Sequence, residues 1–394
     1  MARKMKSAIA AVFFSLVGLA ILVPAMAEDM AAATGPDRTG SPFAFDIGLR
    51  LFGADIGVGY KGFPIMPDAD TTIWAYLGGG YQTEHFYRTS TGVLVAPSAL
   101  AVGGSLAGQD PTFSRAEGAW RLGIDQGAVW NPRTGTNLVS AFLFYRGRYD
   151  ANLLQTGQLI EASTLPDKAG LLLNSIQVGF TYDNLLFDTR HKIRSGISGE
   201  ISTEWGPGFL LNTLIGNSSF MRMNLTTRGF LPLFDVAPGG ASNLFSGYLG
   251  DFFAADYAFG FSQPVPLYIR QTFGGRDQIV GLGGAVRGVD SGSFDTNLKA
   301  VNNLELRVNL PALFTPNLVP GLIVFLDAGF YSQIGEAGVA APYPSNFIAS
   351  AGAGLYIDLF DLASLAAYVE YRLDAANADG TQLTPFAIEF GMHF

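Results

Sequence analysis

The stretch GLIVFLDAGFY occupies residues 321–331, and its large apolar side chains recur at every second position. Leu322, Val324 and Leu326 share one face of an extended chain, because successive side chains of a strand point to opposite faces. Asp327 therefore lies on the other face. A carboxylate within so apolar a segment indicates a strand whose two faces meet different surroundings, one apolar and one polar.

The same alternation recurs from residue 43 to residue 394. It predicts fourteen strands, at 43–52, 55–63, 72–88, 117–131, 137–149, 172–184, 194–206, 219–232, 243–260, 297–310, 320–333, 347–358, 364–374 and 384–394. Short connections alternate with long ones, as periplasmic turns and external loops do in outer-membrane barrels. The even number of strands places both ends of the barrel on the periplasmic side.

Composition distinguishes a membrane barrel from a soluble sandwich. Of the 394 residues, 48% are hydrophobic and only 14% are charged, whereas the polar face of a soluble sandwich is richly charged. Extended chain in lipid needs a closed barrel, because every backbone group must be paired. The sequence therefore predicts an all-β fold, a transmembrane antiparallel β-barrel with apolar residues toward lipid and small or polar residues toward the lumen.

The first 27 residues have the features of a secretory signal peptide: a basic start, an apolar run and an Ala-Met-Ala site at 25–27. The predicted organisation is a cleaved signal peptide at 1–27, a short periplasmic segment at 28–41 and the barrel at 42–394. Losing the three basic residues of the start changes the net charge from −9 to −12. Nucleic acid is therefore not an expected partner, since it requires a basic surface.

The longest predicted external loop, 261–296, contains the stretch GLGGAVRGVDSGSF (281–294). Loops of this length are usually functional or disordered, and this one is rich in glycine and poor in charge, so we expect it to fold back into the lumen. Arg287 would then need a fixed anion. Asp327 is the first candidate partner and Glu305 the second, because both lie on lumen-facing sides of the next two strands and arginine can bind a carboxylate through two nitrogens.

Several motifs follow one another toward the C-terminus: LGGAVRG (282–288), a G-x-F at 292–294, NLELR (303–307), FLDAG (325–329) and SAGAGLYID (350–358). Their order and spacing, with a last strand that ends in Phe394, resemble the barrel of the BamA/TamA superfamily of outer-membrane assembly and secretion factors. Upstream, FTYDNLLFDTRHKIRSGISGE (180–200) resembles the strand–turn–strand that precedes the loop in that family.

The resemblance implies a contact between the loop tip and the barrel wall, and a barrel of sixteen strands. It assigns the tip to Val286, Arg287 and Gly288, the wall to Phe325, Asp327 and Gly329 with Glu305 beside it, and the loop glycines to Gly283, Gly284 and Gly292. The chain differs from the family at Val289, where an aromatic residue is usual. The family's POTRA domains have no counterpart in the fourteen residues 28–41, so we expect a periplasmic or lipoprotein partner in their place.

The leading hypothesis is a POTRA-less barrel that assists insertion or translocation of proteins, or lipids, through a weak contact between the first and last strands. The alternatives are a structural or adhesive barrel and a porin-like passive channel. In the channel, selectivity would come from charged residues predicted to face the lumen: Asp46, Arg50, Lys61, Glu200, Asp251, Glu305, Arg307, Glu370 and Arg372.

No enzymatic activity, cofactor or metal site is predicted. The three histidines, at positions 85, 191 and 393, lack the neighbours of a catalytic triad or the spacing of a metal site. Phe386, Phe390 and Phe394 at the C-terminus form an alternating aromatic pattern of the kind that the barrel-assembly machinery recognises in its substrates. The expected surroundings are the outer-membrane lipid bilayer, with unfolded outer-membrane or secreted proteins as clients.

Overall fold

The computed structural model describes residues 41–50, 53–89, 95, 108–189, 191–236, 245–261, 264–290, 292, 294–315, 317–332, 346–359, 363–374 and 382–390. The predicted signal peptide, nearly all of segment 28–41 and Phe394 lie outside these residues. The strands are β1 (Phe43–Arg50), β2 (Gly53–Tyr60), β3 (Thr71–His85), β4 (Thr112–Asn131), β5 (Thr136–Leu153), β6 (Gly170–Asp183), β7 (Leu186–Asp188), β8 (Ile193–Gly206), β9 (Phe220–Val236), β10 (Phe245–Gly260), β11 (Thr272–Phe273), β12 (Ile279–Val280), β13 (Leu298–Asn309), β14 (Leu318–Ser332), β15 (Asn346–Leu359), β16 (Ala363–Arg372) and β17 (Leu383–Phe390).

Fourteen of these strands form one antiparallel sheet in chain order, from β1 to β17 without a crossover. The all-β antiparallel architecture is therefore confirmed. Within the described residues the series has the fourteen strands read from alternation, and the sixteen that the resemblance implied are not reached. Three short strands lie outside the series: β7 pairs with β8, and β11 pairs with β12. No ladder joins β1 to β17 in the part of the chain that is described.

The two faces of the sheet follow the predicted phase. On β14, the side chains of Leu322, Val324 and Leu326 are exposed on the outside, whereas Phe325 and Asp327 are buried on the inside. The same pattern holds on β13, where Glu305 and Arg307 face inward. A slip of one residue would place the carboxylates outside, so the apolar outer face determines the register.

Asp251 is an exception, and its predicted position in the lumen is wrong. Along β10 the buried face carries Phe252, Ala254, Asp256 and Ala258, so Asp251 points outward. Its carboxylate accepts a hydrogen bond of 2.8 Å from Asn302 on the neighbouring strand β13. The prediction failed because β10 presents aromatic and small residues on both faces, which leaves its phase ambiguous.

Strand β4 begins at Thr112, five residues before the predicted start, and is 20 residues long. Its early part continues the alternation, with Phe113 and Arg115 buried on the inside. A bilayer needs only about 9–11 residues of a tilted strand, so β4 is long enough to continue past one. Among the residues described, no helix is long and apolar enough to cross a lipid bilayer.

Candidate functional site

The long connection between β10 and β13 lies inside the curved sheet, as predicted. Its described part contains a short helix (Leu267–Gln271), the β11–β12 hairpin and an irregular turn (Leu282–Ala285). Apolar residues of this loop are buried in one cluster with inward-facing residues of the sheet: Phe252, Ala254, Phe273, Leu282, Ala285, Val286, Val289, Val301, Tyr331 and Ile348. The loop is therefore held by a hydrophobic core within the lumen.

The guanidinium of Arg287 lies against Asp327 of β14. Its Nε donates to Oδ2 and its Nη2 to Oδ1, both at 2.8 Å, and the backbone N–H of Arg287 donates to the same carboxylate at 3.0 Å. Arg287 is 4% exposed and Asp327 fully buried. Paired nitrogens facing paired oxygens form the bidentate contact in which charge-assisted hydrogen bonds are strongest and most specific.

Glu305 of β13 connects this pair to a second arginine. Its Oε1 accepts from Nη1 of Arg287 at 2.6 Å, and its Oε2 accepts from Nε of Arg307 at the same distance. Two guanidinium groups thus face two carboxylates, and the four buried charges sum to zero. We call Arg287, Glu305, Arg307 and Asp327 the loop lock. Burial opposes the charge of Arg287, but the hydrogen bonds and the charges of Asp327 and Glu305 outweigh it and raise its pKa.

Aromatic rings cover the guanidinium of Arg287. Its central carbon lies 3.6 Å from the ring centre of Phe325 and 5.8 Å from that of Tyr368 on β16. A cation over an aromatic face is attracted by the ring, most strongly where water is excluded. The sequence motif identified Phe325, whereas Tyr368 comes from a strand three places away from β13 in the sheet and carried no signal of its own.

Glycine allows the loop tip to approach the wall. Gly329 faces Val286, and a methyl group at position 329 would lie 3.0 Å from a Val286 methyl carbon and 2.7 Å from Ile348. Gly288 has φ of +78°, a conformation that side chains disfavour, so the chain can turn directly after Arg287. The valine of the V-R-G tip is therefore seated in a notch that exists because residue 329 has no side chain.

The three predicted loop glycines shape the approach to the tip. Gly284 and Gly292 have positive φ, and a methyl group at Gly283 would lie 2.1 Å from the backbone oxygen of Asp290. A methyl group at Gly292 would lie 2.2 Å from the backbone oxygen of His85. Gly283 therefore requires glycine for close backbone contact, Gly284 for its conformation, and Gly292 for both.

The loop is also attached to the chain that follows β3, which the sequence did not reveal. Nε of Arg88 donates to both carboxylate oxygens of Asp295 at 2.8 Å, and the two residues are buried. The hydroxyl of Tyr87 donates to Asp290 at 3.1 Å, and Nε2 of Gln271 donates to the backbone oxygen of His85 at 2.8 Å. These contacts join residues about 200 positions apart, so no local pattern could have predicted them.

A model of the Omp85 superfamily domain matches residues 110–394, well over half of the chain. The chain belongs to the Omp85 superfamily. The BamA/TamA-like family that the motifs resembled is thus confirmed, together with its outer-membrane β-barrel fold. A comparison with curated proteins gives no match.

Two solved structures are similar to this Omp85 protein. One is BamA from Haemophilus ducreyi lacking POTRA domains 1–3, with a TM-score of 0.50, 14% sequence identity and coverage of 89% of this chain and 64% of that one. The other is CdiB from Acinetobacter baumannii, with a TM-score of 0.44, 13% identity and coverage of 89% and 60%. The chain spans less than two thirds of the length of either protein. At these identities the similarity shows the fold alone.

Val289, the position where the family usually has an aromatic residue, still packs with the loop tip in this Omp85 barrel. Val289 is 5% exposed and lies in the same buried cluster as Val286.

Of the C-terminal aromatic pattern, Phe386 is 65% exposed on the outer face of β17, and Phe390 pairs with Leu365 of β16. These two residues lie outside the loop lock.

Replacing Gly329 by leucine should displace the loop tip, although all four charged residues of the loop lock are unchanged. The added side chain would occupy the space of Val286, and overpacking of this kind costs about 1–3 kcal/mol. We expect faster cleavage of the loop by a protease added outside reconstituted vesicles. Gly329→Ala is the matched control with a smaller intrusion, and equal cleavage of wild type and Gly329→Leu would contradict the notch.

Proposed function

We propose that this Omp85 barrel assists the insertion or translocation of proteins, or of lipids, at the outer membrane. Membership of the superfamily supports a role in protein insertion or secretion at the level of the family. The observation that carries the proposal for this chain is the combination of a loop fixed to β13 and β14 with first and last strands that no described ladder joins.

The mechanism we propose uses an opening at the seam, which we define as the boundary between β1 and β17. No ladder joins these two strands among the described residues, so an opening there would leave one edge of each strand free. A free strand edge presents unpaired N–H and C=O groups that a client strand can bind. The loop lock would keep β13 and β14 rigid while the seam opens.

Glycines beside the seam favour such an opening. Strand β2 contains Gly57 and Gly59, and β3 contains three consecutive glycines at 78–80. Glycine in a strand interior weakens the strand, because it orders a more flexible backbone and adds no side-chain packing. Tight curvature of the sheet is the competing explanation for these glycines. A disulfide that closes the seam distinguishes curvature from opening, because only opening would be blocked by it.

The proposed partners are the outer-membrane bilayer, unfolded outer-membrane or secreted proteins, and a periplasmic or lipoprotein component that delivers them. Both ends of the barrel would face the periplasm. We propose no catalytic activity, in keeping with a superfamily of transporters and assembly factors. A passive porin is the weaker candidate, because the long loop occupies the lumen through a buried core and a buried ion cluster.

Depletion of the protein in its native host, followed by quantitative proteomics of isolated outer membranes, tests the proposed function. We expect a broad fall in the abundance of other barrel proteins. An outer membrane unchanged except for this protein would contradict a general role in insertion.

The seam is tested by restoring the depleted strain with cysteine variants. The chain has no cysteine of its own, so engineered disulfides form without competition. A set of pairs with one cysteine in β1 and one in β17 should fail to restore the proteome until the disulfide is reduced. The matched control is Ala116→Cys with Ala151→Cys, which lie opposite each other in the ladder of β4 and β5. Full function of disulfide-closed seams would exclude an opening there.

A further inference from the structure

The long loop contacts the lumen wall at a second place, the tip of the β11–β12 hairpin at residues 274–278. Nη1 of Arg276 donates to Oδ2 of Asp125 on β4 at 2.5 Å, and its backbone N–H donates to Oε1 of Glu200 on β8 at 2.7 Å. The backbone N–H of Gly274 donates to Oδ2 of Asp256 on β10 at 2.8 Å. The loop lock acts on β13 and β14, so the two contacts use different strands of the sheet.

Arginines of the wall bind the backbone of the same tip. Nη1 of Arg146 on β5 donates to the backbone oxygen of Gly275 at 2.8 Å, and Arg121 on β4 donates to that of Arg276. Arg121 also lies 3.8 Å from the carboxylate of Asp277. Carboxylates thus bind the N–H groups and the guanidinium of the tip, and guanidiniums bind its oxygens. This arrangement positions the tip by side-chain charge, without a hydrophobic anchor at its end.

The tip lies between two cavities of the lumen. One, of about 320 Å³, extends toward the external side and is lined by Glu117, Arg148 and Tyr268 among others. The other, of about 540 Å³, extends toward the periplasmic turns and is lined by Lys61, Asp70 and Asn137 among others. Arg276 and Asp277 line both cavities. Asp46 and Tyr76 of the wall also line both cavities, so the tip lies with them at the boundary between the outer and the periplasmic part of the lumen.

The tip is held less firmly than the loop lock. The side chain of Arg276 is 36% exposed and that of Asp125 11%, against 3% for Arg287 and none for Asp327. Ion pairs in contact with water contribute little and are screened by salt, whereas buried pairs are screened much less. Gly275 has φ of +110°, so the tip contains a residue whose backbone can change conformation with little hindrance.

We propose that the tip at residues 274–278 is a gate that is released independently of the loop lock. When Arg276 leaves Asp125 and Glu200, the two cavities join into an aqueous path that conducts ions through the barrel. The closed gate prevents leakage while the lumen remains hydrated on both sides. This inference concerns ion passage through the lumen and does not depend on which client the seam accepts.

Conductance of the purified protein in planar lipid bilayers tests the gate. Arg276→Ala should raise the open fraction at least about fivefold over wild type, the effect of losing one weak ion-pair contact. The open fraction of wild type should rise with ionic strength, and that of Arg276→Ala should rise less, because only the Arg121–Asp277 pair remains to be screened. Arg133→Ala, in the exposed turn after β4, removes one arginine elsewhere and should behave as wild type. Heat-modifiable migration on gels verifies that each variant is folded.

A cross-link provides the second measurement. Arg276→Cys and Asp125→Cys, joined by a cleavable bifunctional thiol reagent, should hold the gate closed, and reduction should raise conductance to that of Arg276→Ala. The gate is wrong if folded Arg276→Ala conducts as wild type does. It is equally wrong if the cross-linked protein conducts as much as the reduced one, because the path would then bypass the tip.

Discussion

Arg287→Ala should destabilise the folded barrel by about 3–5 kcal/mol and release the loop from the wall, because truncating one member of a buried ion pair leaves the other charge without compensation. The loop lock contains two guanidiniums and two carboxylates, so this variant leaves a net negative charge among fully buried groups. Asp327 would lose the bidentate contact, and Glu305 would keep only Arg307. The measurements are urea unfolding in lipid vesicles and protease resistance of the loop.

The double variant Arg287→Ala with Asp327→Ala distinguishes charge balance from loss of packing. It leaves the neutral pair of Glu305 and Arg307, so its cost should be smaller than the sum of the two single costs. Arg133→Ala serves as the control for loss of an exposed arginine. If Arg287→Ala and Asp327→Asn both left the loop as protease-resistant as in wild type, the loop lock would not hold the loop.

Gly292→Ala should be nearly as damaging, although it changes no charge. Gly292 has φ of +76°, which costs other residues about 1–2 kcal/mol. The added methyl group would lie 2.2 Å from the backbone oxygen of His85 and 2.8 Å from Nε2 of Gln271. Those two atoms are hydrogen-bonded to each other, so relief of the clash would break the contact between the loop and the end of β3. We expect a total cost of about 2–5 kcal/mol.

Gly135→Ala is a close control for this variant. Gly135 has φ of +68°, and a methyl group there would meet no atom within 4 Å. Both substitutions therefore carry the backbone cost, and the difference between them measures the clash with His85. Urea unfolding of the two variants in the same vesicles gives that difference directly. Equal destabilisation would mean that the loop does not press on the end of β3.

The loop lock and the gate differ in how far each could be predicted from sequence. The partners of Arg287 followed from the phase of two strands and were supported by the family motifs. The carboxylate partners of Arg276 lie on β4 and β8, at distances of 151 and 76 residues along the chain. Nothing in the surrounding GGRDQ marks that arginine as a ligand of the wall, because its neighbours are determined by the path of the loop through the lumen.

Asp251 shows where alternation stops being informative. The lumen side of β10 carries Ala254 and Ala258, because the in-folded loop fills the space that larger side chains would need. Aromatic residues such as Phe253 and Tyr257 are left on the outside, so both faces contain apolar and polar residues. Hydrophobicity alone cannot assign the phase of a strand when its inner face is packed against protein, since both faces are then apolar.

The sequence by itself determined the strands, their order and the inward direction of Glu305 and Asp327. It could do so because the side chains of a strand repeat every two residues and an apolar surrounding accepts only one phase. The tertiary structure alone decided that Arg307 completes a neutral cluster, that Arg88 and Asp295 hold the loop base, and that Arg276 lines two cavities. Those contacts depend on sheet curvature and on the course of the loop, which bring together residues that no local period relates.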